Sequence, residues 1–325
     1  MGMLINGELA NSWLDKEIEE GEFKRMESSF RHWITPDGSA GPTGNAGFKA
    51  EENRYHLYVS DACPWAHRTV IFRKLKKLEN IIGISYVEAD MLHDGWTFSA
   101  DGKYKDNLHG FHYAYELYQK SDSNFTGQIT VPILWDKKTN TIVNNESSEI
   151  IRMLNSAFNA FTDDKTDYYP EELQEQINTI NRPVYDNINN GVYRCGFANT
   201  QAAYEKAFTR LFNQLGKTEQ LLSTQRYLLG KQITEADWRL FTTLIRFDAV
   251  YVGHFKCNLR RISDYPNLSN YLRELYQVSG IAETVDFDYI KRHYYYSHTS
   301  INPTQIIPAG PLLDFSAAHD RDREY

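Results

Sequence analysis

Tyr55-His56-Leu57-Tyr58-Val59-Ser60-Asp61-Ala62-Cys63-Pro64-Trp65-Ala66-His67-Arg68-Thr69-Val70-Ile71 is the stretch that decides the fold. Its first five residues are apolar and aromatic, as in a buried strand. After a short turn, Val70, Ile71, Leu75 and Leu78 recur at helical spacing. Arg68, Arg73, Lys74, Lys76 and Lys77 fall largely on the other faces, and this predicts a helix from Pro64 to about Leu78 with a solvated basic side. Pro64 suits the first helical position, where its missing N–H costs nothing. Ile81 to Val87 reads as a second buried strand. A strand–helix–strand opening favours a parallel pair joined by a right-handed crossover.

Working outward, residues 88–128 are polar and aromatic, with a helix expected from Phe111 to Gln119. Thr130 to Asp136, the turn Lys137 to Asn140, and Thr141 to Asn144 read as a hairpin. Ser147 then starts a helix through Ile150, Ile151 and Leu154. The order is β-α-β-α-β-β-α. Thr162 to Asp167 is a solvated linker, and from Glu171 to about Tyr289 the patterns are helical throughout. Within that stretch Thr234-Glu235-Ala236-Asp237 forms a capping box, in which the Asp237 carboxylate accepts from the Thr234 amide. Residues 1–50 look irregular, dense in Gly and Pro from Thr35 to Gly47, with Phe23, Phe30 and Trp33 as aromatic anchors. The expected organisation is an N-terminal extension 1–50, an α/β domain 51–160, an all-α domain 171–290 and a tail 291–325.

Composition removes several function classes. Lys and Arg total 35 against 43 Asp and Glu, so a net charge of -8 argues against a nucleic-acid partner. No apolar run approaches the roughly 20 residues needed to span a bilayer, so no membrane role is expected. The first residues lack the basic and apolar regions of a secretory signal. Three cysteines, Cys63, Cys195 and Cys257, exclude a disulfide scaffold and suit the cytoplasm.

Cys63 stands between the first strand and the first helix, where a reactive thiol is favoured. A helix N-terminus presents free N–H groups and the positive end of the dipole, and both stabilise a thiolate. The pKa of a free cysteine, roughly 8.5, can fall to roughly 3.5–7.5 in such surroundings. Position 66, where a C-x-x-C redox motif needs its second thiol, holds Ala66. A covalent adduct on Cys63 must therefore be resolved by an external thiol or a distant cysteine. Cys195 and Cys257 read as packed small hydrophobes. Val131-Pro132, before the third strand, is expected to be cis and to turn the Val131 backbone outward. Glu146-Ser147, at the next helix start, reads by itself first as an ordinary helix cap; it could also clamp the zwitterionic end of a small peptide, with Glu146 taking the ammonium and the hydroxyl and amides the carboxylate. His109 and His112 are spaced i, i+3 without a third ligand at telling spacing, so they read as surface or capping residues and no metal is expected.

Cys63-Pro64, Val131-Pro132 and Glu146-Ser147, followed by an all-helical region with the Thr234–Asp237 box, resemble a cytosolic glutathione transferase. The finer resemblance is to the Xi class, the glutathionyl-hydroquinone reductases. It is carried by Cys63-Pro64-Trp65-Ala66-His67-Arg68-Thr69, Gly95-Trp96-Thr97-Phe98, Asn189-Asn190-Gly191-Val192-Tyr193, Arg246-Phe247-Asp248-Ala249-Val250-Tyr251, His254-Phe255-Lys256-Cys257, Arg261-Ile262-Ser263-Asp264-Tyr265 and His293-Tyr294. The resemblance implies a thioredoxin-like N-terminal domain joined to an all-α domain, in a homodimer. It implies Cys63 as nucleophile and glutathione as co-substrate. Trp96 would pack on the glutathione, and the backbone of Gln128, Ile129, Thr130 and Val131 would pair with its cysteinyl part. Glu146 and Ser147 would hold the γ-glutamyl end. Tyr193 would exchange the substrate proton, and Tyr251 and Tyr294 would donate hydrogen bonds that lower the Cys63 pKa. Gln128 departs from the pattern, since some relatives carry a basic residue there, and this weakens an ionic contact to a glutathione carboxylate.

The implied substrate carries glutathione on a hydroquinone ring through a thioether. Once the ring tautomerises to a ketone, its carbon can leave as an enolate while Cys63 attacks the glutathione sulfur. A second glutathione then resolves the mixed disulfide. Two other functions share the cysteine or the fold: an Omega-like thiol transferase or dehydroascorbate reductase, and a non-catalytic assembly module. The tyrosine set favours the hydroquinone reading over the first, and a reactive Cys63 would argue against the second.

Overall fold

The computed structural model describes residues 2–10 and 18–325, so Met1 and residues 11–17 of the N-terminal extension lie outside it. In chain order the strands are β1 (Met3–Ile5), β2 (Glu8–Ala10), β3 (Ile18–Glu19), β4 (Glu22–Phe23), β5 (Tyr55–Val59), β6 (Gly83–Tyr86), β7 (Gly127–Gln128), β8 (Ile133–Asp136) and β9 (Thr141–Asn144). The α-helices are α1 (Pro64–Leu75), α2 (Tyr115–Ser121), α3 (Ser147–Ser156), α4 (Gln174–Val184), α5 (Gly191–Gly196), α6 (Gln201–Thr224), α7 (Glu235–Arg246), α8 (Pro266–Tyr276) and α9 (Phe287–Ser297). The described residues divide into two compact units, 2–10 with 25–166, and 18–24 with 167–325.

The first unit is built on a four-stranded sheet of order β6-β5-β8-β9. β5 pairs with β6 in parallel and with β8 antiparallel, and β8 pairs with β9 antiparallel. This is the thioredoxin-like arrangement expected from the strand–helix–strand opening and the later hairpin. All five residues of β5 are buried. α1 and α3 pack on one another, and α2 packs against β9. α1 stops at Leu75 rather than at Leu78 because Lys77 takes a left-handed backbone, φ 51°, which ends the helical ladder. α2 starts later than expected, at Tyr115, where Glu116 caps the amides of His112 and Tyr113.

The basic run at the end of α1 is only in part the solvated face its charge suggests, for Lys77 is exposed but its neighbours are not fully so. Lys76 is fully buried and donates to the Thr166 carbonyl, and Arg73 donates to the carbonyls of Ile82 and Glu79. These cations tie down chain reversals that local sequence does not show. The extension is also more ordered than its composition implies. β1 pairs with β2 and with β7, giving a small antiparallel sheet, and β3 pairs with β4.

The second unit is helical apart from the β3–β4 ribbon. Its central helix α7 has every residue buried, and the box at its start is present: the Thr234 amide donates to Asp237 Oδ2 at 2.8 Å and the Thr234 hydroxyl at 3.0 Å. Asp237 Oδ1 accepts from the Leu228 amide and the Tyr271 hydroxyl, so one carboxylate binds helix start, preceding loop and α8. α9 runs to Ser297, so the residues after about Tyr289 continue the helical packing. Further on, Arg321 is fully buried and donates to the Leu222, Gln225 and Arg226 carbonyls, satisfying orphan acceptors at the end of α6. Phe23 of β4 is buried against Tyr193 and Phe197.

Candidate active site

In the α/β unit, Cys63 is the N-cap of α1 and partly exposed, whereas Cys195 and Cys257 are buried in the helical unit. The Cys63 sulfur accepts from the Ala66 amide at 3.5 Å and donates to the Val131 carbonyl at 3.4 Å. The sequence forces this placement locally. Pro64 opens the helix, the residue before it must be extended, and the side chain of an extended N-cap points back over the free amides. Those amides and the helix dipole stabilise negative charge on the sulfur. The Val131-Pro132 bond is cis, as expected.

Several backbone groups of the strand edge beside Cys63 are engaged within the chain. The Ile129 amide donates to the Gly2 carbonyl, and the Tyr118 hydroxyl both donates to the Thr130 carbonyl and accepts from the Thr130 amide. Gln128 lies in β7 opposite Met3. Val131 is thus the position of the four with its carbonyl turned to the cysteine. The Gln128 side chain is buried, and its Nε2 has no hydrogen-bond partner among the described residues. Trp96 is buried in the loop between β6 and α2, where its carbonyl accepts from the Ala114 amide.

The β9–α3 turn carries a donor and an acceptor side by side. Glu146 is the N-cap of α3, and its Oε1 accepts from the Ser148 amide and hydroxyl, each at 2.9 Å. Burial pushes the Glu146 carboxyl up, but the Ser148 bonds, the Arg68 charge and a Ser28 bond outweigh it and hold the group ionised, below its ordinary range. Ser147 Oγ accepts from Arg68 Nη1 at 3.3 Å and keeps its own proton to donate. An acceptor anion beside a hydroxyl donor at a helix N-terminus suits an amino-acid zwitterion. Arg68, itself buried, lies 4.6 Å from the Trp65 ring centroid, with Arg25 at 4.8 Å.

In the helical unit, Tyr193 on α5, Tyr251 at the end of the π-helical turn Phe247–Tyr251, and Tyr294 on α9 meet through their hydroxyls. Tyr294 is the middle member, 2.7 Å from the Tyr193 oxygen and 3.1 Å from the Tyr251 oxygen. Tyr251 and Tyr294 are 0% and 2% exposed and Tyr193 is 9% exposed. Burial, reinforced by the neighbouring hydroxyls, pushes Tyr251 and Tyr294 well above the usual phenol range. They remain neutral donors, and Tyr193 is the end of the chain nearest to solvent. Phe197, Phe255 and His298 pack around the three rings.

Sequence reasoning missed Ser28, Asn144, Asn145, Tyr118 and Arg68 as builders of this site. Asn144 Oδ1 accepts from the Glu146 amide at 2.7 Å, and Asn145 Nδ2 donates to the Tyr118 hydroxyl at 3.2 Å. The one usable signal was the pair of asparagines preceding Glu146, a composition that favours side-chain-to-backbone turns. His109 stacks on Phe111 and meets Trp135 edge-on, and no group of three or more His, Cys, Asp or Glu side chains suited to a metal occurs among the described residues.

Residues 62–157 match the family model of the glutathione S-transferase N-terminal domain, and residues 201–274 that of the glutathione S-transferase C-terminal domain. The chain is 54% identical to the glutathionyl-hydroquinone reductase YqjG of Escherichia coli strain K12, over 99% of each chain. The glutathione-bound structure of that protein superposes with a TM-score of 0.91 at 52% identity, covering 99% of both chains. A Xi-class glutathione transferase from Natrialba magadii gives a TM-score of 0.90 at 46% identity, covering 99% of this chain and 97% of that one. Among the described residues no helix is long and apolar enough to cross a membrane.

Proposed function

The chain belongs to the glutathione S-transferase family, in its Xi class, and on that premise we propose that it is a glutathionyl-hydroquinone reductase. The observation that carries the proposal is Cys63 as the N-cap of α1, with Ala66 where a resolving thiol would stand. A lone activated thiol of this kind can take glutathione from a carbon only as a mixed disulfide.

The substrate is a hydroquinone bearing glutathione through a thioether. The ring first tautomerises to a ketone, which places a proton on the carbon that bears sulfur. Cys63 attacks the glutathione sulfur, an S–S bond forms, and the S–C bond breaks with its electron pair entering the ring as an enolate, whose oxygen takes a proton as hydroquinone leaves. A second glutathione attacks the Cys63 adduct, returning the thiol and giving glutathione disulfide, so one thioether sulfur and one thiol sulfur are oxidised and one ring carbon is reduced. Val131 supplies the backbone partner for the cysteinyl part of glutathione, and Trp96 supplies an apolar wall. Gln128 gives a neutral amide donor to a carboxylate where a basic residue would give an ion pair. Glu146 takes the γ-glutamyl ammonium and Ser147 the adjoining carboxylate. Tyr193 handles the ring proton, supported by Tyr294 and Tyr251 as neutral donors behind it. We also take the protein to be cytoplasmic and a homodimer; sedimentation at twice the 37.8 kDa chain mass would establish the dimer.

The test is Cys63→Ala with a glutathionyl-hydroquinone and excess glutathione. The variant should release no hydroquinone while still binding glutathione, because the contacts that hold the tripeptide lie elsewhere. Turnover within a few-fold of the parent chain would remove the mechanism. Preferential turnover of dehydroascorbate by the parent chain would instead make it an Omega-like reductase.

A further inference from the structure

Residues 25–35 of the N-terminal extension lie along the turn that carries Glu146. The Phe30 amide donates to Asn145 Oδ1 at 3.1 Å, and the Asn145 amide donates to the Phe30 carbonyl at 3.1 Å. The His32 amide donates to the Val143 carbonyl at 2.9 Å, and Asn144 Nδ2 donates to the His32 carbonyl at 3.0 Å. Arg31 forms a two-pronged ion pair with Glu149 in the first turn of α3. Phe30 packs on Phe125 and Tyr118. This strap is therefore docked by several bonds that do not involve its neighbour Ser28.

Ser28 does something different. Its hydroxyl is 3.1 Å from Glu146 Oε2 and 3.3 Å from the Asn145 carbonyl oxygen. One proton cannot serve both acceptors fully, and the carboxylate is both closer and charged, so it takes the stronger bond. Oε1 of the same carboxylate is already held by Ser148. The terminal torsion of a glutamate is broad, so an oxygen held on one side alone leaves the carboxylate plane free to swing. A second bond, from Ser28 to Oε2, pins the plane.

We propose that Ser28 is a positioning residue of the glutathione site, orienting Glu146 Oε2 toward the γ-glutamyl ammonium. The proposal rests on the reading of Glu146 as the partner of that ammonium. A carboxylate oxygen accepts more than one hydrogen bond, so Oε2 can keep the Ser28 bond and receive the ammonium as well. The N-terminal strap thereby becomes part of substrate recognition, although it lies some 118 residues from Glu146 in sequence.

The test is calorimetric binding of two probes, S-methylglutathione and its desamino analogue, which lacks only the ammonium. The chains compared are the parent, Ser28→Ala, Ser28→Thr and Glu146→Gln. Ser28→Ala should bind S-methylglutathione about tenfold more weakly, the scale of one hydrogen bond to a charged group lost at one remove. It should bind the desamino analogue as the parent does, and Ser28→Thr should restore the lost affinity. A general loosening of the strap would weaken both probes equally and overturns the proposal, as does unchanged binding of S-methylglutathione. Glu146→Gln separates the two layers of the argument. If it weakens only the ammonium-bearing probe, the reading of Glu146 stands and the Ser28 result decides the proposal. If it affects both probes alike or neither, the reading of Glu146 itself fails and the proposal falls with it.

Discussion

Replacing Tyr294 with Phe removes one hydroxyl from the middle of a chain of three and leaves the ring in place. Two bonds disappear, 2.7 Å to Tyr193 and 3.1 Å to Tyr251. Tyr251 is fully buried, so the loss of its bond to Tyr294 costs stability on the order of 1–3 kcal/mol. The functional consequence runs through Tyr193. When Tyr193 gives up its proton, the Tyr294 hydroxyl 2.7 Å away is a neighbour able to donate to the new phenolate. Losing one such donor raises the barrier by roughly 1.4 kcal/mol, or about tenfold in rate. Tyr193→Phe removes the acid itself and should slow the same step by about 10²–10⁴-fold. Stopped-flow on two half-reactions tests this. The first half-reaction is hydroquinone release from the glutathionyl substrate, and the second is reduction of a preformed Cys63–glutathione disulfide. The second involves no ring carbon, so both variants should leave it nearly unchanged. Equal slowing of both half-reactions would show that the tyrosines act by holding glutathione. A Tyr294→Phe chain that releases hydroquinone at the parent rate, while Tyr193→Phe does not, would refute the supporting role given to the hydroxyl chain.

Two further outcomes follow from buried polar groups. Asp237→Ala strips acceptors from the Leu228 and Thr234 amides and the Tyr271 hydroxyl, all buried, and should cost about 3–5 kcal/mol in urea unfolding, with Asp237→Asn losing less. Burial pushes His56 down to about 4 and His254 down to about 3, so both stay neutral in the folded chain and charge on unfolding once the pH drops below about 6.5. Their contribution to stability is complete above that value and is lost as the pH falls toward the folded values. At pH 5 each should have cost about 2 kcal/mol, read as a lower urea midpoint than at pH 7.5 that His254→Gln partly abolishes.

What the sequence determined by itself is what short range decides. An apolar strand run, a cysteine and a proline place a thiol on the free amides of a helix within four residues, and Thr234 to Asp237 close a cap within one turn. The resemblance then supplied the tyrosines and the Glu146-Ser147 pair as names without a geometry. Short range also misled: Arg73, Lys74, Lys76 and Lys77 at the end of α1 look like a solvated face, yet Lys76 is buried and donates to a carbonyl 90 residues away. Only the tertiary structure decided which backbone groups near Cys63 are already engaged. It alone joined three phenols 43 and 101 residues apart into one hydroxyl chain, and laid residues 25–35 along the turn that carries Glu146. A hydrogen bond is directional and reaches about 3 Å, whereas periodicity and composition record only burial and local conformation. Partners distant in sequence therefore leave no mark on either side of the bond until the chain has folded.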